Sequence, residues 1–127
     1  MDTITCIKTR RSVRKFKQES ISKDIIEDLV LDASYAPSWK NTQTTRYIAI
    51  TDAEIKAKLA EECCAEHNRG IINGAPLLIA TLIVDKRSGF ERDGSYSTSR
   101  KDVGRHLTMA LLHRHCVWQL MTKTWEQ

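Results

Sequence analysis

Arg10, Arg11, Ser12 and Arg14 place three guanidinium groups and a hydroxyl inside five positions near the amino end. Planar forks of N–H donors match phosphate oxygens two at a time, so this set suits a phosphate-bearing ligand better than a carbonyl or an apolar one. One helix later comes Ala36-Pro37-Ser38-Trp39-Lys40-Asn41-Thr42-Gln43. Its hydroxyl and amide side chains can donate to and accept from the edge of a heteroaromatic ring. Alone, the basic run reads as a solvated turn between helices. The polar loop at this distance turns the reading toward an anion site beside a ring site.

The surrounding elements must hold those two segments. Residues 2–9 read as a short helix with Ile4 and Ile7 three apart, delivering the arginines where it ends. Ser22 can cap a second helix whose apolar face is Ile25, Ile26, Leu29, Val30 and Ala33, and Pro37 marks the loop after it. Residues 46–51 are rich in β-branched and aromatic types and read as a strand. Thr51-Asp52-Ala53-Glu54 fits a capping box opening a helix with Ile55, Leu59 and Cys63 on one side. Residues 75–84 are almost continuously apolar, as in a strand covered on both faces, and 85–99 read as a long polar loop. The order helix, helix, strand, helix, strand implies an α+β fold or three-layer sandwich with helices packed on a sheet.

At 127 residues the chain holds one domain, and 28% charged with 41% hydrophobic residues describes an ordinary globular protein. No run reaches the roughly 18 apolar residues of a spanning helix, and the acidic Asp2 start lacks the order of a signal peptide, so no membrane and a cytoplasmic location are expected. Cys6, Cys63, Cys64 and Cys116 show no CxxC spacing, and reduced thiols are expected, with Cys63 and Cys64 in semi-buried packing. His106, His113, His115 and Cys116 are chemically able zinc ligands, but their spacing matches no finger signature and no metal is expected. The net charge of +4 is concentrated at Lys8, Arg10, Arg11, Arg14, Lys15 and Lys17, a positive field that any polyanion would feel. A small nucleic-acid-binding domain is one alternative. Against it, Phe16 is the only aromatic in that run, and Glu19, Asp24, Glu27 and Asp28 follow at once.

The two motifs resemble the nitroreductase family of FMN-dependent oxidoreductases, which carry an Arg-Arg-Ser-x-Arg-x-Phe stretch and a Pro-Ser-x-x-Asn-x-Gln loop in this order. Asn73-Gly74-Ala75-Pro76-Leu77-Leu78-Ile79 is similar to the family's buried strand, and residues 88–95 to a loop of some short bacterial members. The resemblance covers residues 3 to about 99. It implies a three-layer α/β/α sandwich, incomplete at the C-terminus, with FMN bound at a homodimer interface. By it, Arg10, Arg11, Ser12 and Arg14 grip the FMN phosphate, Pro37, Ser38, Asn41 and Gln43 lie beside the ring and ribityl chain, and Asn68 stands near the ring. Trp39 and Lys40 fall at variable positions facing the substrate. It also implies electron transfer from NAD(P)H through FMN to a nitroaromatic, quinone or similar acceptor, with no protein nucleophile or general base.

From Arg100 the residues cease to resemble the family and become rich in Trp and His. The change is read as a shifted reading frame, the alternative being a divergent tail that fits the shifted pattern by chance. When the third base of each codon is joined to the first two of the next, Met109-Ala110 forces Gly, His115-Cys116 forces Leu, Trp118-Gln119 forces Ala, Met121-Thr122 forces Asp and Trp125-Glu126 forces Gly. The free third bases permit the rest of the family's central helix and the Leu-Gly turn after it. One base lost from an adenine run near Arg100-Lys101 would give this tail, leaving 100–127 unselected to fold as written. Val103, Leu107, Ala110, Leu111 and Val117-Trp118 can still make an amphipathic helix that packs where the lost one packed. The domain then reads as 1–127, family-like over 3–99, with catalysis impaired or replaced by flavin binding and dimerisation alone.

Overall fold

The computed structural model describes residues 2–101, 104 and 106–113. In chain order the elements are α1 (Thr3–Thr9), α2 (Lys23–Ser34), a 3-10 turn (Trp39–Asn41), β1 (Thr45–Ile50), α3 (Ala53–Cys63), α4 (Glu66–Asn73) and β2 (Leu78–Ile83), followed by a helical stretch over 106–113. This is the α+β class expected. No helix among the described residues is long and apolar enough to cross a membrane.

Asp2 starts α1 by accepting the Thr5 amide at 3.0 Å. The helix buries Cys6 and leaves Ile4 and Ile7 exposed, so its inward face is one side chain wide. Ser22 caps α2 as expected, its hydroxyl accepting the Ile25 amide at 3.4 Å. Leu29 and Ala33, one turn apart, are fully buried, Ile26 and Val30 half so, and Ile25 in the first turn lies beyond the core. Pro37, unable to extend the helix, sets the chain off into the polar turn.

β1 and β2 pair antiparallel, from Thr45 opposite Ile83 to Ile50 opposite Leu78. The ladder is continued by the Val84 amide, which donates to the Thr44 carbonyl at 2.8 Å. The expectation of a strand over 75–84 covered on both faces is corrected twice. Gly74 closes α4, with its amide bonded to the Gly70 carbonyl, and Pro76 has no N–H for a ladder, so the strand begins at Leu78. Its face shared with β1 carries Leu82, 44% exposed, beside Ile48, 50% exposed.

The N-cap of α3 is Asp52, whose carboxylate accepts the Ile55 amide at 2.9 Å, one position after the expected Thr51. Its buried face is Lys56 and Ala60, whereas Ile55 and Cys63 are exposed and Leu59 and Cys64 half-buried. The apolar periodicity points one residue away because Lys56 buries its stem and delivers its ammonium to the Ala75 carbonyl. α4 is an element the sequence reading leaves out, and it packs on α3, with Arg69 donating to the Glu61 carbonyl at 3.2 Å.

Residues 88–97 are more ordered than a plain loop. Phe90 and Tyr96 form an antiparallel bridge with ring centroids 4.9 Å apart. The turn between them is closed by Asp93, which accepts from the Ser95 amide and hydroxyl, and by Gly94 at φ 84. In the 106–113 helix Thr108 and Leu112 are buried and Leu111 half-buried, while Leu107 and Ala110 are exposed. The expected face through Leu107 and Ala110 is therefore rotated, since the Thr108 hydroxyl has a partner to meet and turns inward with Leu112. Val103, Val117, Trp118, His115 and Cys116 lie outside the described residues. Ala33, Ala36 and Leu112 form the core, with Tyr47 and Leu111 packed against it.

Candidate flavin site

Where the end of α2, the polar turn, β1 and the 106–113 helix meet, they line an open pocket of about 470 Å³. Ser38, Asn41 and Gln43 line it together with Arg46, Tyr47 and Thr108, and Val30, Ala36 and Leu112 supply apolar wall. A wall of this size that mixes apolar and polar side chains suits a flat heteroaromatic group with carbonyl and N–H edges. The donor chemistry of Ser38, Asn41 and Gln43 fits the isoalloxazine ring of a flavin.

The turn has an uncommon backbone: Lys40, Asn41 and Gln43 have φ of 50, 48 and 50°. Asn adopts this region readily, but Lys and Gln do so only when neighbours fix them. Several contacts do. The Thr42 amide and hydroxyl both donate to the Trp39 carbonyl, at 3.2 and 3.1 Å. The Arg46 guanidinium donates to the Gln43 and Thr45 carbonyls, each at 2.8 Å. From the 106–113 helix, the Thr108 hydroxyl accepts the Trp39 amide at 3.1 Å. From the 88–97 hairpin, Glu91 meets the Lys40 ammonium at 3.3 Å. The Ser97 hydroxyl first, and the Lys40 ammonium after it, hold the Glu91 carboxyl below its ordinary value.

Within one chain, the two expected halves of the site are not brought to the same cavity. Arg10, Arg11, Ser12 and Arg14 lie in an irregular, exposed segment between α1 and α2, outside the cavity wall. The Arg11 guanidinium rests on the Lys8 and Arg10 carbonyls at 3.2 and 2.8 Å. Pro37 is exposed on the lead into the turn. Trp39, 40% exposed, and Lys40 also stand outside the wall: the indole lies against Gly104 and the lysine turns to Glu91. Asn68 is half-buried on α4, its backbone N–H donating to the Ala65 carbonyl at 2.9 Å. Sequence reasoning missed Arg46 and Thr108. Arg46 was hidden inside a strand pattern, and no signal marked Thr108.

The chain belongs to the nitroreductase family: the family model matches residues 7–126, running past residue 99 into the tail. An iodotyrosine deiodinase of Haliscomenobacter hydrossis is 38% identical over 52 residues, 41% of this chain and 23% of that protein. YfhC of Bacillus subtilis, provisionally named an NAD(P)H nitroreductase, is 42% identical over 53 residues, 42% of this chain and 27% of that protein. The matched stretch therefore spans about a quarter of these curated relatives. A solved structure from Desulfovibrio desulfuricans, provisionally named a nitroreductase and in complex with FMN, superposes with a TM-score of 0.70 at 20% identity, covering 94% of this chain and 62% of that one. At that identity the likeness concerns the fold.

Proposed function

We propose that the chain is an FMN-dependent oxidoreductase of nitroreductase type. The observation that carries this is the convergence of Ser38, Asn41 and Gln43 on one cavity through a strained turn clamped from outside. Family membership and the FMN held by the Desulfovibrio relative support it. In this reading Ser38, Asn41 and Gln43 orient the ring by hydrogen bonds, and the apolar wall at Val30, Ala36 and Leu112 keeps water from it. Arg10, Arg11, Ser12 and Arg14 hold the phosphate, and Pro37 fixes the turn's entry. The second half of the site would come from a second copy, because the arginines do not line their own chain's cavity. FMN, when bound, supplies the hydride chemistry between NAD(P)H and a nitroaromatic, quinone or similar acceptor. Trp39 and Lys40 would face that acceptor at the rim.

A second reading is a flavin-binding, dimerising chain without turnover. Purification with added FMN, followed by an NAD(P)H oxidation assay with a nitroaromatic and a quinone, separates the two. A yellow, active protein supports the first and a yellow, inert one the second. A colourless protein whose binding to nucleic acid falls steeply with salt would displace both.

The tail from Arg100 we assign to a shifted reading frame, on the five forced codons and the permissive remainder. The third bases of the gene decide it. If they forbid the family pattern in the shifted frame, the assignment fails.

A further inference from the structure

We infer that Thr108 is a positioning residue for the ligand-facing turn, acting through Trp39; the inference rests on the flavin reading above. The turn's internal bonds all converge on Trp39, whose carbonyl accepts both the amide and the hydroxyl of Thr42. What holds the Trp39 backbone is a bond from outside, its amide donating to the Thr108 hydroxyl at 3.1 Å. Thr108 is 2% exposed and forms part of the cavity wall, so this bond joins the turn to a fixed side chain at the site itself. The Trp39 ring also lies against Gly104, four positions before Thr108: a Cβ built there would stand 3.3 Å from the indole Cγ. Lys40, Asn41 and Gln43 follow Trp39 in a conformation they would not hold unaided. Loss of the hydroxyl leaves a part-buried amide unpaired and lets the turn relax, which moves Asn41 and Gln43 away from the ring edge.

The inference separates a hydroxyl's role from a methyl's. Thr108→Ser keeps the acceptor, and Thr108→Val keeps the volume without it. Each is titrated with FMN by flavin fluorescence, and amide hydrogen exchange is followed at Trp39. Thr108→Ser is expected to bind within about twofold of the natural chain, and Thr108→Val roughly tenfold more weakly, with faster exchange at Trp39. A purely structural role would lower the unfolding midpoint and leave affinity unchanged in the folded fraction. If Thr108→Val binds FMN as well as the natural chain, the inference is overturned while the flavin reading stands. If the natural chain itself binds no FMN, the reading fails and takes the inference with it. Should Thr108→Val fail to fold, exchange in the natural chain still decides: a Trp39 amide that exchanges like an open peptide contradicts the inference, and a protected one supports it.

Discussion

The Gln18 side-chain amide donates to the Gly74 carbonyl at 2.7 Å, tying the irregular segment after the arginine cluster to the turn between α4 and β2. Residues 10–22 have no helix or strand of their own, so this bond to a distant turn limits how far the basic run can wander. Gln18→Ala removes one exposed hydrogen bond, about 0.5–1.5 kcal/mol. Trypsin cleavage within Arg10–Lys17 is expected to accelerate by roughly threefold to tenfold. Unchanged cleavage would mean that the segment is ordered by something else.

Core and rim of α2 differ in kind. Leu29 is 1% exposed, and Leu29→Ala is expected to cost about 2–5 kcal/mol by leaving a cavity in the interior. Ile25, 41% exposed on the same helix, is expected to cost less than about 1 kcal/mol as Ile25→Ala. Urea denaturation of both variants measures the contrast, and similar losses would place the core elsewhere.

Glu91 makes the clamp on Lys40 sensitive to acid. Its folded pKa lies below the ordinary 4.5, through the Ser97 hydroxyl first and then Lys40. A depressed carboxyl stabilises the fold fully above the unfolded value, and that contribution fades as pH falls through the folded one. Acidification below about pH 4.5 should therefore release the 88–97 hairpin from the turn, with faster exchange at Glu91 and Gly94 amides. In Glu91→Gln the hairpin's exchange should lose this pH dependence. Retention of it would assign the transition to another group, such as Asp93, whose carboxyl is likewise lowered, by Ser95.

Much of this was legible in the residues. Ser22 names the start of α2, Pro37 names its end, and the spacing of Ser38, Asn41 and Gln43 marks the three groups that line the cavity. Three things were not legible, each for a physical reason. Lys56 reads as a solvent-facing residue, yet its long stem lets it lie inside α3 with the charge carried to a backbone carbonyl. Glu66–Asn73 is only eight residues long, with Ile71 and Ile72 its sole apolar side chains and a helix-weakening glycine at 70, so α4 is recognisable only once α3 lies against it. Thr108 contributes through a single long-range hydrogen bond, and no local pattern records such a contact.

In the proposed flavin site the guanidinium cluster of one copy grips the phosphate of a flavin whose ring enters the other copy's cavity at Ser38, Asn41 and Gln43. FMN and riboflavin share the ring and differ by that phosphate, so equilibrium titration with both isolates the cluster's part. Charge-assisted bonds of about 1.5–3 kcal/mol should make FMN bind roughly tenfold to a hundredfold tighter, and Arg14→Ala should shrink that margin while leaving riboflavin unaffected. Equal affinity for the two ligands, or a margin indifferent to Arg14, would contradict the account.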